Sequence, residues 1–179
     1  MKKCLKEATL MCDGNPDIKI KFNEDNFLEA VNLISNDIIK KYQGKKVALL
    51  GLARGALPLL VAVSHRVDIR NVNVIQVKMT NSNKKWDYGN VEICGGYIDD
   101  DIDEYIIFED IISHARSVNA VIKYLNNKGK KIVDVYTLCM NNDMFDISLE
   151  NDEIDINYVN LFTAKQWVYF FWEKGYEGV

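Results

Sequence analysis

Two short runs with no polar face, Val47-Ala48-Leu49-Leu50-Gly51 and Tyr105-Ile106-Ile107-Phe108, constrain this chain more than any other feature. Each is too short for a helix and too uniformly apolar for a strand with one wet side, so each reads as a strand buried on both faces. Amphipathic segments lie around them. Phe27, Val31, Ile34 and Ile38 recur at i, i+4, i+7 and i+11, the stripe of a helix capped by Asn23 or Asp25 and closed near Gly44 and its lysines. A second helix is expected over Leu57–Arg66 and a third over Val118–Leu125, with Asn126, Asn127 and Gly129 after it. Val72–Val77 and Ile132–Leu138 supply two more strands. Strands alternating with helices at this spacing predict an α/β fold, a parallel sheet flanked by helices.

The remainder is connection. Residues 1–22 read as an N-terminal extension ending in an alternating strand, Ile18–Phe22. Asn81–Asn90 is polar and rich in turn formers, which predicts a mobile loop, and Gly95-Gly96 predicts a hairpin turn. Asp99–Asp103 and Lys128–Lys131 are expected to be solvated. There is no repeat and no flexible linker, and Pro16 and Pro58 are the only prolines, so 179 residues are expected to form a single domain, 1–179.

Composition narrows the function classes. A formal charge of −4 argues against a nucleic-acid binder working by bulk charge. No apolar stretch approaches the length of a membrane span; the longest is Val47–Leu52. The start, Met1 to Glu7, has no apolar block of the kind an export signal carries, so a cytoplasmic setting is expected. Cys4, Cys12, Cys94 and Cys139 show no metal-ligand spacing, and His65 and His114 are the only histidines, so a zinc site would be hard to assemble. Scattered thiols of this kind read as reduced. Arginine is scarce: Arg54, Arg66, Arg70 and Arg116 are all there are.

Ligands of such sheets lie beyond the carboxyl ends of the strands, so the strand-to-helix joints are the places to look. One is Gly51-Leu52-Ala53-Arg54-Gly55-Ala56-Leu57-Pro58, where small residues let backbone amides approach an anion and Arg54 adds a permanent, two-pronged cation. Taken alone it reads as a tight turn with a solvated arginine. The other is Tyr105–Ser117, where Glu109 and Asp110 close a buried strand. Adjacent carboxylates there repel unless a cation or a pair of hydroxyls lies between them. A Ser-rich turn opening a helix follows at once. Two of the four arginines fall in these two turns.

The two joints together resemble those of the type I phosphoribosyltransferases, in particular the xanthine–guanine–hypoxanthine branch. Gly51–Pro58 is similar to that branch's pyrophosphate loop, and Tyr105–Ser117 lies where the family carries its phosphoribosyl-diphosphate signature. The aromatic tail Gln166-Trp167-Val168-Tyr169-Phe170-Phe171-Trp172-Glu173 is similar to the branch's C-terminal hood, which ends in Pro-Trp-Glu. The resemblance runs from about residue 23 to the end. It implies the phosphoribosyltransferase fold with a small C-terminal hood over roughly residues 140–179.

It also implies the chemistry: Mg²⁺-dependent transfer of phosphoribose from phosphoribosyl diphosphate to a purine-like base, with release of pyrophosphate. Arg54 and Gly55 would hold the pyrophosphate. Glu109 and Asp110 would grip the ribose hydroxyls directly or through Mg²⁺, and with Arg54 they form the implied catalytic group. Ser113, His114, Ala115, Arg116 and Ser117 would wrap the 5′-phosphate. Trp167 would stack on the base, with Val168 and the Leu138 position around it. Lys78 to Asn90, with Trp86, Asp87 and Tyr88, would cover the site. Small-molecule substrates and a homo-oligomer follow from the same resemblance, and neither nucleic acid nor membrane does.

The chain departs from the family pattern in three places. Ser113-His114-Ala115 stands where the family has Asp-Thr-Gly, Leu138 and Cys139 stand where it has a base-reading lysine, and Phe171 replaces the hood's proline. A nucleotide-binding or regulatory protein without turnover, a transferase with another donor or base, and an unrelated doubly wound binding domain are the alternatives.

Overall fold

The computed structural model describes residues 1–6, 19–80, 88–141, 143, 149, 153–163 and 166–174. In chain order the elements are β1 (Lys2–Cys4), β2 (Lys19–Phe22), α1 (Glu24–Tyr42), β3 (Val47–Ala53), α2 (Leu57–Val67), β4 (Val72–Thr80), β5 (Tyr88–Tyr97), β6 (Glu104–Ile112), α3 (Arg116–Asn126), β7 (Lys131–Asn141), β8 (Asp155–Phe162) and β9 (Trp167–Phe170).

Local chemistry accounts for the helices. Asn23, not Asp25, caps α1: its side chain accepts from the Asn26 amide at 2.9 Å, and Asn26 returns the favour to the Asn23 amide at 3.2 Å. Val31, Ile34 and Ile38 are buried as the spacing predicts. α2 opens with Pro58 in its first turn, where a missing N–H costs nothing. Leu59, Leu60 and Val63 face inward.

Seven strands form one sheet in the order β1-β8-β7-β6-β3-β4-β5. All neighbours run parallel except β4 and β5, which are antiparallel. α1 and α2 cover one face through Ile34, Ile38 and Leu59, and α3 covers the other through Val118, Val121, Ile122 and Leu125. Each such side chain, fully buried, contributes roughly 1.5–3 kcal/mol. β3 and β6 lie between these two cores, which is why their sequences carry no polar face.

The structure corrects two local readings. Gly95-Gly96 is not a hairpin turn but part of β5. Gln76 faces Gly95 while Val77 faces Ile93, so Cys94 is the extra residue of a bulge. Gly96 adopts φ +153, and a Cβ there would lie 2.8 Å from the Cα of Ile75. The polar stretch 81–90 gives its last three residues to β5, and 81–87, with Trp86 and Asp87, lie outside the described residues. So does Ile18, at the start of the expected first strand.

A second, two-stranded sheet pairs β2 with β9 in parallel, Lys19 opposite Trp167 and Phe22 opposite Phe170. The tail therefore divides: β8 joins the main sheet, whereas β9 leaves it to meet the other end of the chain.

Candidate functional site

β3 and β6 are hydrogen-bonded neighbours, with Gly51 opposite Phe108, so both joints emerge side by side at the carboxyl edge of the sheet. They meet at Gly55, where a Cβ would run into the Asp110 carboxylate. The peptide between Ala53 and Arg54 is cis. Arg54 is exposed beside this contact and lines a cleft of about 870 Å³ together with Gly55, Gln76, Lys78 and Asp110.

A deeper recess of about 190 Å³ adjoins that cleft and shares Met79, Asp110 and Glu173 with it. On one side stands the whole turn Ser113–Ser117. On the other stand Trp167, Val168, Phe162 and Gln166. The small sheet is what carries Trp167 there, since β9 is held by its pairing with β2 and by Phe170 stacked on Trp172 at 4.7 Å.

Arg54, Gly55, Asp110, Ser113, His114, Ala115, Arg116, Ser117, Trp167 and Val168 thus all border one continuous space. Glu109 lies just behind it, 8% exposed. Leu138 does not join them: it is fully buried in the core, packed in the cluster that includes Val168 and Phe170. Its side chain supports the floor and lines neither cavity.

The acidic pair is electrostatically unsatisfied. Glu109 accepts from the Ser117 hydroxyl at 3.0 Å and from the Asp110 amide at 3.3 Å, and Asp110 accepts from the Ile111 amide at 2.9 Å. Among the described residues no ion pair reaches either carboxylate. Burial, and for Glu109 the neighbouring Asp110 charge as well, push both groups above the ordinary carboxylate range. Glu173, at the rim, is also raised, by partial burial and by Asp110. A hard divalent cation takes one or two carboxylates and completes its shell with phosphate, hydroxyl and water oxygens, so this donor set fits Mg²⁺. It fits a pair of sugar hydroxyls as well. No group of three or more metal-ligating side chains occurs among the described residues, so a metal here would complete its shell with substrate or water oxygens.

The Ser113–Ser117 turn differs from an ordinary helix start. Ala115 precedes α3 at φ 53, the left-handed region, and caps nothing with its side chain. Ser117 does not act as the cap: its hydroxyl is turned to Glu109. Asn141, at the end of β7, donates to the Ser113 hydroxyl at 3.4 Å.

Sequence reasoning gave no role to Gln76, Gln166 or Glu173. Gln76 lies in the middle of β4, opposite Ala53 at the carboxyl end of β3, so only the strand register brings it to the cleft. Glu173 closes an apolar aromatic run, and the change there from apolar to charged residues was the available signal.

A model of the phosphoribosyl transferase domain family matches residues 22–177. Among solved structures, the chain is similar to the xanthine-guanine-hypoxanthine phosphoribosyltransferase of Helicobacter pylori, at 20% identity and a TM-score of 0.64, over 88% of this chain and 97% of that one. It is similar to a purine phosphoribosyltransferase of Pyrococcus horikoshii at 22% identity and 0.63, over 87% and 94% of the two chains. A hypoxanthine phosphoribosyltransferase of Staphylococcus aureus follows at 16% and 0.60, over 75% and 74%. At these identities the structural likeness speaks for the fold. No curated protein sequence matches the chain.

Proposed function

We propose that this chain, which belongs to the phosphoribosyl transferase domain family, carries phosphoribose from phosphoribosyl diphosphate to a purine-like base and releases pyrophosphate. The observation that carries this reading is the convergence at Gly55 and Asp110. It places a cationic turn, an acidic strand end, a serine-rich turn and an aromatic wall around one cleft.

The reaction forms a bond from a base nitrogen to C1 of the sugar and breaks the bond from C1 to pyrophosphate, which leaves with the electron pair, while the proton displaced from that nitrogen passes to pyrophosphate or water. Positive charge develops on the sugar ring, as in glycoside cleavage. No protein nucleophile is needed. Arg54 is placed to neutralise the leaving group, with Lys78 on the same wall. Asp110, on the cleft wall, would hold the ribose hydroxyls, and Glu109 just behind it would add negative charge that favours positive charge on the sugar. The Ser113–Ser117 turn and Arg116 are placed to hold the 5′-phosphate, and Trp167 to stack on the base. Mg²⁺, held by Glu109 and Asp110, would supply further neutralisation of the diphosphate when bound.

The tail bounds the recess on the base side and limits water there. The same reading includes association with further copies of this chain and a cytoplasmic setting. No helix among the described residues is long and apolar enough to cross a membrane.

One observation favours a second reading, a nucleotide binder without turnover: the turn offers Ser113 and His114 but no carboxylate to take the base's proton. The deciding experiment mixes the chain with phosphoribosyl diphosphate, Mg²⁺ and a panel of purine-like bases, and follows pyrophosphate release. Base-dependent release establishes the transferase. Tight nucleotide binding with no release from any base establishes the second reading.

A further inference from the structure

A second cavity lies at the opposite end of the sheet, where α1 and α2 finish and β3 begins. It is a half-open groove of about 670 Å³, inside the range of roughly 300–1,000 Å³ common to small-molecule sites. Its accessible apolar lining is Ile39, Val67 and Ile69, backed by the buried Ile38, Tyr42 and Val47. Lys45, Lys46, Arg66 and Arg70, all exposed, form its rim. The two arginines absent from the first cleft are therefore both here.

The charge balance is unusual for this protein. Four cations face the single carboxylate Asp68, in a chain whose formal charge is −4. Part of that charge answers the carboxyl ends of α1 and α2, each worth about half a negative charge. Subtracting both helix ends and Asp68 leaves a surplus of roughly two positive charges. Glu104, which pairs across from Val47 at the foot of β6, is engaged by Lys131 at 3.8 Å. Several of the cations are already oriented: Lys45 Nζ lies 5.1 Å from the Tyr42 ring centre, Arg66 donates to Asn32, and Arg70 lies 3.6 Å from Asp68.

An apolar floor beneath surplus cations suits a molecule with a flat or apolar body and more than one phosphate charge. We infer that this cavity is a second ligand site, separate from the cleft, and that it takes a phosphorylated small molecule of nucleotide size. The site stands independently of base transfer, because none of its lining residues borders the first cleft.

The test is an NMR titration of the full ¹⁵N-labelled chain without added metal, using ATP, inorganic tripolyphosphate and adenosine as separate probes. ATP is expected to shift the amides of Gly44, Lys45 and Asn71 saturably, with a dissociation constant below about 1 mM. Tripolyphosphate should move the same amides with weaker affinity, and adenosine should hardly move them. Replacing both arginines, Arg66→Ala with Arg70→Ala, should weaken ATP at these amides about tenfold or more. Arg54→Ala should leave that affinity unchanged. The inference is overturned if these amides stay still up to about 10 mM ATP, or if the double replacement changes nothing in a chain that keeps its spectrum. Tripolyphosphate binding as tightly as ATP would overturn the assigned ligand class, since the apolar floor would then have no part.

Discussion

Single residues set the character of the cleft. Gly55 has no room for a side chain because the Asp110 carboxylate fills the place of its Cβ. Gly55→Ala must therefore push Asp110 aside, and overpacking of this kind costs about 1–3 kcal/mol. Urea unfolding should show that loss, and phosphoribosyl diphosphate binding should weaken with it. Unchanged stability would mean that the two turns do not touch. Ala115 has the opposite problem, since it holds φ 53 where glycine is the unstrained choice. Ala115→Gly should stabilise the chain by roughly 0.5–1 kcal/mol, the left-handed strain relieved less the added entropy of the unfolded state. The acidic pair gives a pH signature. Burial raises Glu109 and Asp110 above their ordinary values of 4.5 and 3.8, so the folded chain keeps protons that the unfolded chain has already released. Their contribution to stability is therefore greatest at low pH and falls as pH rises from the ordinary carboxylate range through the raised values. Urea midpoints measured across that window should show the fall, and Glu109→Gln should flatten it. A slope unaltered by Glu109→Gln would mean that Glu109 is not the strained group.

Among the elements, β2 and β9 together carry Trp167 to the recess, and their pairing was the least legible. The alternation of Ile18–Phe22 gave a strand, and the structure keeps its last four residues as β2. Nothing local says that β2 pairs with a strand at the far end of the chain, because pairing partners are set by tertiary contacts and not by strand pattern. The join rests on Phe22, fully buried and 5.2 Å from Phe170 between ring centres. Phe22→Ala should cost about 3–5 kcal/mol and loosen the wall that carries Trp167. Near-ultraviolet circular dichroism should lose aromatic signal in Phe22→Ala, whereas Lys21→Ala, on an exposed position of the same strand, should leave it unchanged. Elements with strong periodicity were easier to read. α1, β3 and α3 lie close to where spacing placed them, because each must bury a continuous apolar face. The Gly95-Gly96 pair misled because glycine serves both hairpins and bulges, and only the neighbouring strand decides between them.

At the scale of the whole molecule, two cores on either side of one sheet leave its carboxyl edge as the place where joints can meet. The candidate site was legible to that extent, since strand ends picked out the two joints, the family resemblance gave Arg54 and the Glu109–Ser117 segment their roles, and both border or adjoin one cleft. Leu138 was misplaced because a position near a strand's end does not say which face its side chain takes, and here it takes the core. Asp134 was equally opaque. It is a buried acid in β7, which made sense only once Lys41 was found 2.9 Å away and the Tyr42 hydroxyl at 2.6 Å, tying α1 to the sheet. The central claim is that the two joints bind the two ends of one phosphoribosyl diphosphate. Calorimetric titration of wild type, Arg54→Ala and Arg116→Ala with phosphoribosyl diphosphate and with a purine nucleoside monophosphate tests it most directly. Both variants should bind the diphosphate at least about tenfold more weakly, the scale of one lost charge-assisted contact. Only Arg116→Ala should lose the monophosphate, because that ligand has a 5′-phosphate and no pyrophosphate. Equal losses of both ligands in both variants, or no loss in either, would contradict the account.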